Sequence, residues 1–113
     1  MSQITSFGKS GNPPGTLTYN YTAVTTTPYV VLPTDEFLGV TTTTLAITIQ
    51  LPNDPAVGRV YIVKDATGFA AVHNITVTTV GGTVLIDESA TFIMNSSSES
   101  TSFIFNGTKY LAF

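Results

Sequence analysis

His73 is the sole histidine of the chain, and no cysteine accompanies it. A general base works on a nucleophile held within hydrogen-bond reach. No Gly-x-Ser-x-Gly elbow and no other serine arrangement is set up around Phe69-Ala-Ala-Val-His73, so His73 reads as a loop residue with an ordinary hydrogen bond. Asp35-Glu36 and Asp87-Glu88 are two acidic pairs in expected turns. Their oxygens would suit calcium, but no Asp-x-Asp-x-Asp spacing supports such a loop, and acidic residues favour turns on their own account. Glycoside hydrolysis would need two carboxylates facing each other across a cleft, for which the pattern offers nothing. Gly81-Gly82 lacks the lysine and the helix that follow in a phosphate loop, and reads as a turn.

Tyr19, Tyr21, Tyr29, Tyr61 and Tyr110 could stack on sugar rings. As strand residues with wet hydroxyls they need no ligand. Asn20, Asn74, Asn95 and Asn106 open Asn-x-Ser/Thr sequons, which matter only in a secreted eukaryotic protein. The expectation is therefore a chain that is no enzyme, with no catalytic residue, no cofactor and no metal site.

The elements that would have to position any site are short strands. Threonine supplies 21 of the 113 residues, clustered at Thr25–Thr27 and Thr41–Thr44 or alternating with Val and Ile. Alternating β-branched residues suit a strand with one face buried and the other wet. Thr44–Leu51 puts Leu45, Ile47, Ile49 and Leu51 on one face and Thr44, Thr48 and Gln50 on the other. Further strands are expected at 19–24, 28–32, 37–40, 58–64, 74–80, 83–86, 91–94, 101–105 and 108–113. Residues 69–73 read as one helical turn or an irregular loop. Gly81-Gly82 and Asn106-Gly107 carry the two-residue hairpin signal, because both central residues tolerate positive φ.

This pattern predicts an all-β fold: a single antiparallel β-sandwich or jelly roll of about eight to ten short strands, at 17–113. Residues 1–16 read as an extended N-terminal arm, since Gly8, Gly11, Pro13, Pro14 and Gly15 suit neither a helix nor a central strand. Ile4 and Phe7 are its apolar anchors, and the expectation is an assembly arm of Ile4, Phe7, Pro13 and Pro14 laid on a neighbouring subunit.

Charged residues make up 10% of the chain, well under the roughly 25% of an ordinary domain. Depletion of charge marks interface cores, so a self-assembling homo-oligomer, lattice or filament is the expected partner state. The net charge is −3, and Lys9, Arg59, Lys64 and Lys109 form no run, which argues against nucleic acid. No apolar run approaches the ~18 residues of a membrane span. The first residues show no basic region followed by an apolar stretch, so no cleaved export signal is expected.

The stretch from Pro28 to Phe113 resembles a β-structured module of tail-fibre-like and other virion structural proteins of tailed bacteriophages. The residues that carry it are Pro28-Tyr-Val-Val-Leu32, Ile47-Thr-Ile-Gln-Leu-Pro52, Gly58-Arg-Val-Tyr-Ile-Val-Lys-Asp65, Asn74-Ile-Thr-Val-Thr-Thr-Val-Gly-Gly82, Ile86-Asp87 and Phe105-Asn-Gly-Thr108. The resemblance implies an often oligomeric building block with no enzymatic residues. Because only a short arm precedes the module here, a small many-copy subunit is expected: a decoration protein, fibre or fibre tip assembled in a host cytoplasm, which meets other virion proteins. The alternatives are a carbohydrate- or receptor-binding module for a host-surface glycan, or the protomer of an extracellular bacterial appendage.

Overall fold

Strict alternation makes Ile47-Thr-Ile-Gln-Leu51 a strand, with Ile47, Ile49 and Leu51 buried and Thr48 and Gln50 turned outward. The same period organises the rest of a computed structural model that describes residues 17–113. Ile4, Phe7, Pro13 and Pro14 lie outside the described residues. The strands are β1 (Tyr21–Val24), β2 (Tyr29–Val30), β3 (Phe37–Val40), β4 (Ile47–Leu51), β5 (Val60–Asp65), β6 (Ile75–Thr79), β7 (Phe92–Met94), β8 (Ser100–Phe105) and β9 (Tyr110–Ala112). The all-β expectation holds.

From β1 to β6 the chain alternates between two sheets, so each strand lies beside the one two before it. The larger sheet has the order β1-β3-β5-β8-β9, the smaller β2-β4-β6-β7. Pairs β1–β3, β3–β5, β2–β4 and β4–β6 are parallel, while β5–β8, β6–β7 and β8–β9 are antiparallel. The sheets are thus mixed, whereas the sequence reading expected antiparallel pairing throughout. The physical reason lies in the connections. Pro28, Pro33, Pro52 and Pro55 fall in the β1–β2, β2–β3 and β4–β5 connections, where a tight hairpin would need ladder hydrogen bonds and positive φ, and the proline-free connections 41–46 and 66–74 are too long for a two-residue hairpin, so the chain crosses to the other layer instead.

One core fills the space between the sheets. Leu38, Val63 and Phe103 of the larger sheet and Ile49, Val77 and Met94 of the smaller are all fully buried. Each such side chain contributes about 1.5–3 kcal/mol of burial. Phe92 meets Phe103 edge-on across the layers, with ring centroids 5.4 Å apart.

Local expectations fared unevenly. Asn106-Gly107 does turn β8 into β9, but the loop spans four residues: Asn106 N–H donates to Lys109 O, and Asn106 Oδ1 accepts from Thr108 and Lys109 N–H. Gly81 and Gly82 both take positive φ, at 73° and 69°, yet Thr83–Ile86 forms no strand against β6. Thr79 Oγ1 binds both Val84 N–H and Val84 O, which folds the chain off the ladder, and β7 takes the place beside β6. Leu45 is 41% exposed before β4 begins, so it does not join the core face of Ile47, Ile49 and Leu51. Residues 69–73 make one turn, with Val72 and His73 N–H donating to Phe69 O.

Candidate self-association surface

Alternation gives each sheet an outer face, and the two differ in chemistry. On the smaller sheet the outward rows are Val30–Gln50–Thr78 and Thr48–Thr76–Ile93. Hydroxyls and an amide dominate there, a surface content in water. On the larger sheet one outward row runs Tyr21–Phe37–Ile62–Ser102. Phe113 extends that row, since its N–H and C=O both bond to Ser102. A second row is Val60–Ile104–Leu111. Tyr21 and Tyr19 lean on Phe37, with ring centroids 5.8 and 6.2 Å away. Tyr19, Tyr21 and Phe113 remain more than half exposed. Outward apolar side chains grouped in this way make this face a candidate interaction surface.

Gly39 explains why the Tyr21 ring lies flat. A Cβ at Gly39 would come within 2.7 Å of Tyr21 Cζ, so the missing side chain is what lets the ring cover β3.

Two buried carboxylates hold the surrounding loops. Asp35, 3% exposed, accepts from Thr22 Oγ1 at 2.7 Å, Tyr29 Oη at 2.7 Å and Leu32 N–H at 2.9 Å. Burial alone would raise its pKa, but the Leu32 N–H, the two hydroxyls and the Arg59 charge outweigh that and hold the carboxyl below the usual range. Burial and the same carboxylate push the Tyr29 phenol up to about 12. Asp65 likewise accepts from Thr67, Gly68, Ala70 and Ser98 N–H. Burial again raises its pKa, and the backbone donors reverse the direction and lower it. Asp65-Ala-Thr-Gly68 is an Asx-type turn whose signal stands in the sequence.

Beside this network lies a cleft of about 350 Å³ lined by Pro33, Pro52, Asp54, Pro55, Arg59 and Tyr61. Arg59 rests 4.5 Å over the Tyr61 ring and donates through Nη2 to Pro33 O and Asp35 O. Nη2 is thus held by backbone oxygens of the 33–35 loop, while the buried Nε has no hydrogen-bond partner among the described residues.

The sequence candidates scatter. Asp35 is a buried acceptor, while Glu36 receives the Asn20 N–H. Asp87 accepts from Ala112 N–H, and Glu88 pairs with Lys109 at 2.7 Å. Among the described residues no group of His, Asp and Glu comes together to hold a metal. The five tyrosines do not assemble: Tyr61 and Tyr110 are core residues, Tyr29 serves Asp35, and only Tyr19 and Tyr21 stay open. His73 sits in its loop. The sequence reading missed the roles of Phe37 and Tyr21 on an outer face; the signal available was their odd-numbered parity, opposite to that of Thr22, Val24 and Leu38. No protein-family model matches the chain, and no curated protein matches it.

Proposed function

We propose that this chain is a small, many-copy structural subunit of a bacteriophage-type virion, a fibre, fibre-tip or decoration protein that works by self-assembly. The observation that supports this reading is the apolar outer row Tyr21–Phe37–Ile62 with Tyr19 beside it, on a chain of 10% charged residues. Covering such rings with a second copy gains about 25 cal/mol for each Å² of apolar surface removed from water. The arm residues Ile4 and Phe7 would add to that cover by docking on the neighbour. The resemblance of Pro28–Phe113 to virion modules supplies the setting, with assembly in a host cytoplasm and residence in the virion.

A second reading has one observation in its favour. Tyr19 and Tyr21 are adjacent exposed rings flanking Asn20, a platform on which a host-surface glycan could stack. Asn20 weakens it, because its side-chain amide already donates to Thr34 O.

The solution mass of the full-length protein, by light scattering with negative-stain imaging, tests the proposal. A closed oligomer is the expected result. Long filaments would favour the appendage protomer, and a monomer at high concentration that binds a glycan array would replace self-assembly with recognition.

A further inference from the structure

We propose that the cleft between loops 31–36 and 52–59 is a binding site for an extended, uncharged peptide segment of another protein. One apolar side chain of that segment would fill the cleft, and its backbone carbonyl would accept from Arg59 and Tyr61. Such a site is separate from the self-association face and needs no second copy. The cleft opens at the end of the sandwich where β5 begins, since Arg59 directly precedes that strand. Its volume of about 350 Å³ falls within the range of small-ligand pockets.

The first observation is what the walls lack. Pro33, Pro52 and Pro55 have no N–H, and the Ala56 side chain is a methyl group. Three of the wall carbonyls are already taken. Pro33 O accepts from Arg59 Nη2, Pro52 O from Tyr110 Oη at 2.6 Å, and Ala56 O from Arg59 N–H at 3.0 Å. Such walls suit an aliphatic or aromatic side chain and offer little to a sugar's ring of hydroxyls.

The second observation is a pair of donors left over among the lining residues. Tyr61 is 2% exposed, yet its hydroxyl has no hydrogen-bond partner among the described residues, unlike those of Tyr29 and Tyr110. Burial raises its pKa, so the phenol stays a neutral donor. Arg59 lies 4.5 Å over the same ring. Its Nη2 is held by Pro33 O and Asp35 O, while Nη1 and the buried Nε find no acceptor among the described residues. Buried polar groups are nearly always partnered, so a phenol and a guanidinium short of acceptors at one place call for an oxygen from outside. Charge decides which kind. Asp35 already feels the Arg59 charge, and the Asp54 carboxylate lines the same cleft. With one cation against two carboxylates, a free anion gains little. A peptide group matches both sides, its C=O serving the donors and its N–H serving Asp54.

Saturation-transfer NMR on the full-length protein tests the site, because it reads the ligand whatever the size of the assembly. The probe is N-acetyl-leucine N-methylamide, one apolar side chain between two peptide groups; N-acetyl-leucine and methyl α-glucoside are its rivals. The expected result is transfer to the leucine methyls that saturates with a Kd on the order of 1 mM. That Kd should rise about fivefold in Tyr61→Phe, which removes one hydrogen bond and keeps the ring. Transfer should vanish in Ala56→Phe, whose exposed position lets a ring fill the cleft without entering the core. Should Tyr61→Phe unfold, Ala56→Phe decides alone. Tighter binding of the free carboxylate or of the glucoside overturns the peptide site, as does an unchanged Kd in either folded variant. No transfer to any of the three probes overturns it as well, and self-assembly then stands or falls on its own mass measurement.

Discussion

The two outer strands of the larger sheet face the same problem and meet it differently. At β9 the chain returns over its own edge: Ile86 is buried at 1% exposure, Asp87 adopts a left-handed φ of 52°, and the strap takes up the N–H and C=O of Tyr110 and the N–H of Ala112. Holding a non-glycine residue there costs of order 1–3 kcal/mol, a cost the burial of Ile86 and the recovered hydrogen bonds offset. At β1 no described segment lies beyond the strand, and its neighbours Leu17, Tyr19 and Tyr21 are all more than half exposed. Closing an edge requires chain; an edge left without cover is tolerated when it is short, and β1 is four residues long. The difference teaches that, among the described residues, the larger sheet closes one of its edges with its own chain and leaves the other to a strand of four residues.

The largest expected effect comes from unfastening the closed edge. Ile86→Ala removes the strap's buried anchor and should cost about 2–4 kcal/mol in urea unfolding. Hydrogen exchange at the Tyr110 and Ala112 N–H groups should quicken as the strap lifts from β9. Unchanged exchange would mean that residues 85–87 do not guard β9.

Next comes the tie that holds β1 to the loop beside it. Asp35→Ala strands three donors, from Thr22, Tyr29 and Leu32. A loss of about 2–3 kcal/mol is expected. The pH dependence has a definite sign. Folding lowers the Asp35 and Asp65 pKa values, so their stabilisation is complete above the unfolded value of about 4 and is lost as pH falls through the lower folded values. Thermal melts of the wild type should drop steeply below pH 4, and those of Asp35→Ala less steeply.

The smallest effect sits back at the closed edge. Glu88 bonds Lys109 there, but its side chain is 87% exposed. Glu88→Ala should leave the melting temperature unchanged at low and high salt alike. A clear drop would show the ion pair helping to seat the strap.

Much of this was legible in the chain before folding. Ile47–Leu51 and Ile75–Thr79 announce their buried faces by period two, and Asn106-Gly107 announces the last hairpin. Thr83–Ile86 reads as a strand from its apolar, β-branched run, yet Thr79 Oγ1 captures Val84 and turns the segment into a strap. Leu45 fails for a similar reason: the Thr41–Thr44 cluster bends the chain before the strand starts. The candidate surface was half legible, since Tyr21 alternates with Thr22 and Val24 within its own strand, while only strand register sets Phe37 and Ile62 beside it.

By itself the sequence determined that the chain is all-β, which residues alternate, where its turns fall and how little charge it carries. These are properties of neighbours in the chain, decided by side-chain sterics and turn dihedrals within a few residues. The tertiary structure alone decided that β1, β3 and β5 run parallel, that the larger sheet turns its aromatic row outward, and that β9 is covered by residues 85–87 while no described segment lies beyond β1. Strand pairing depends on which layer each connection enters and on distant partners such as Leu85 and Tyr110, and a period of two is the same on every strand whichever neighbour it meets.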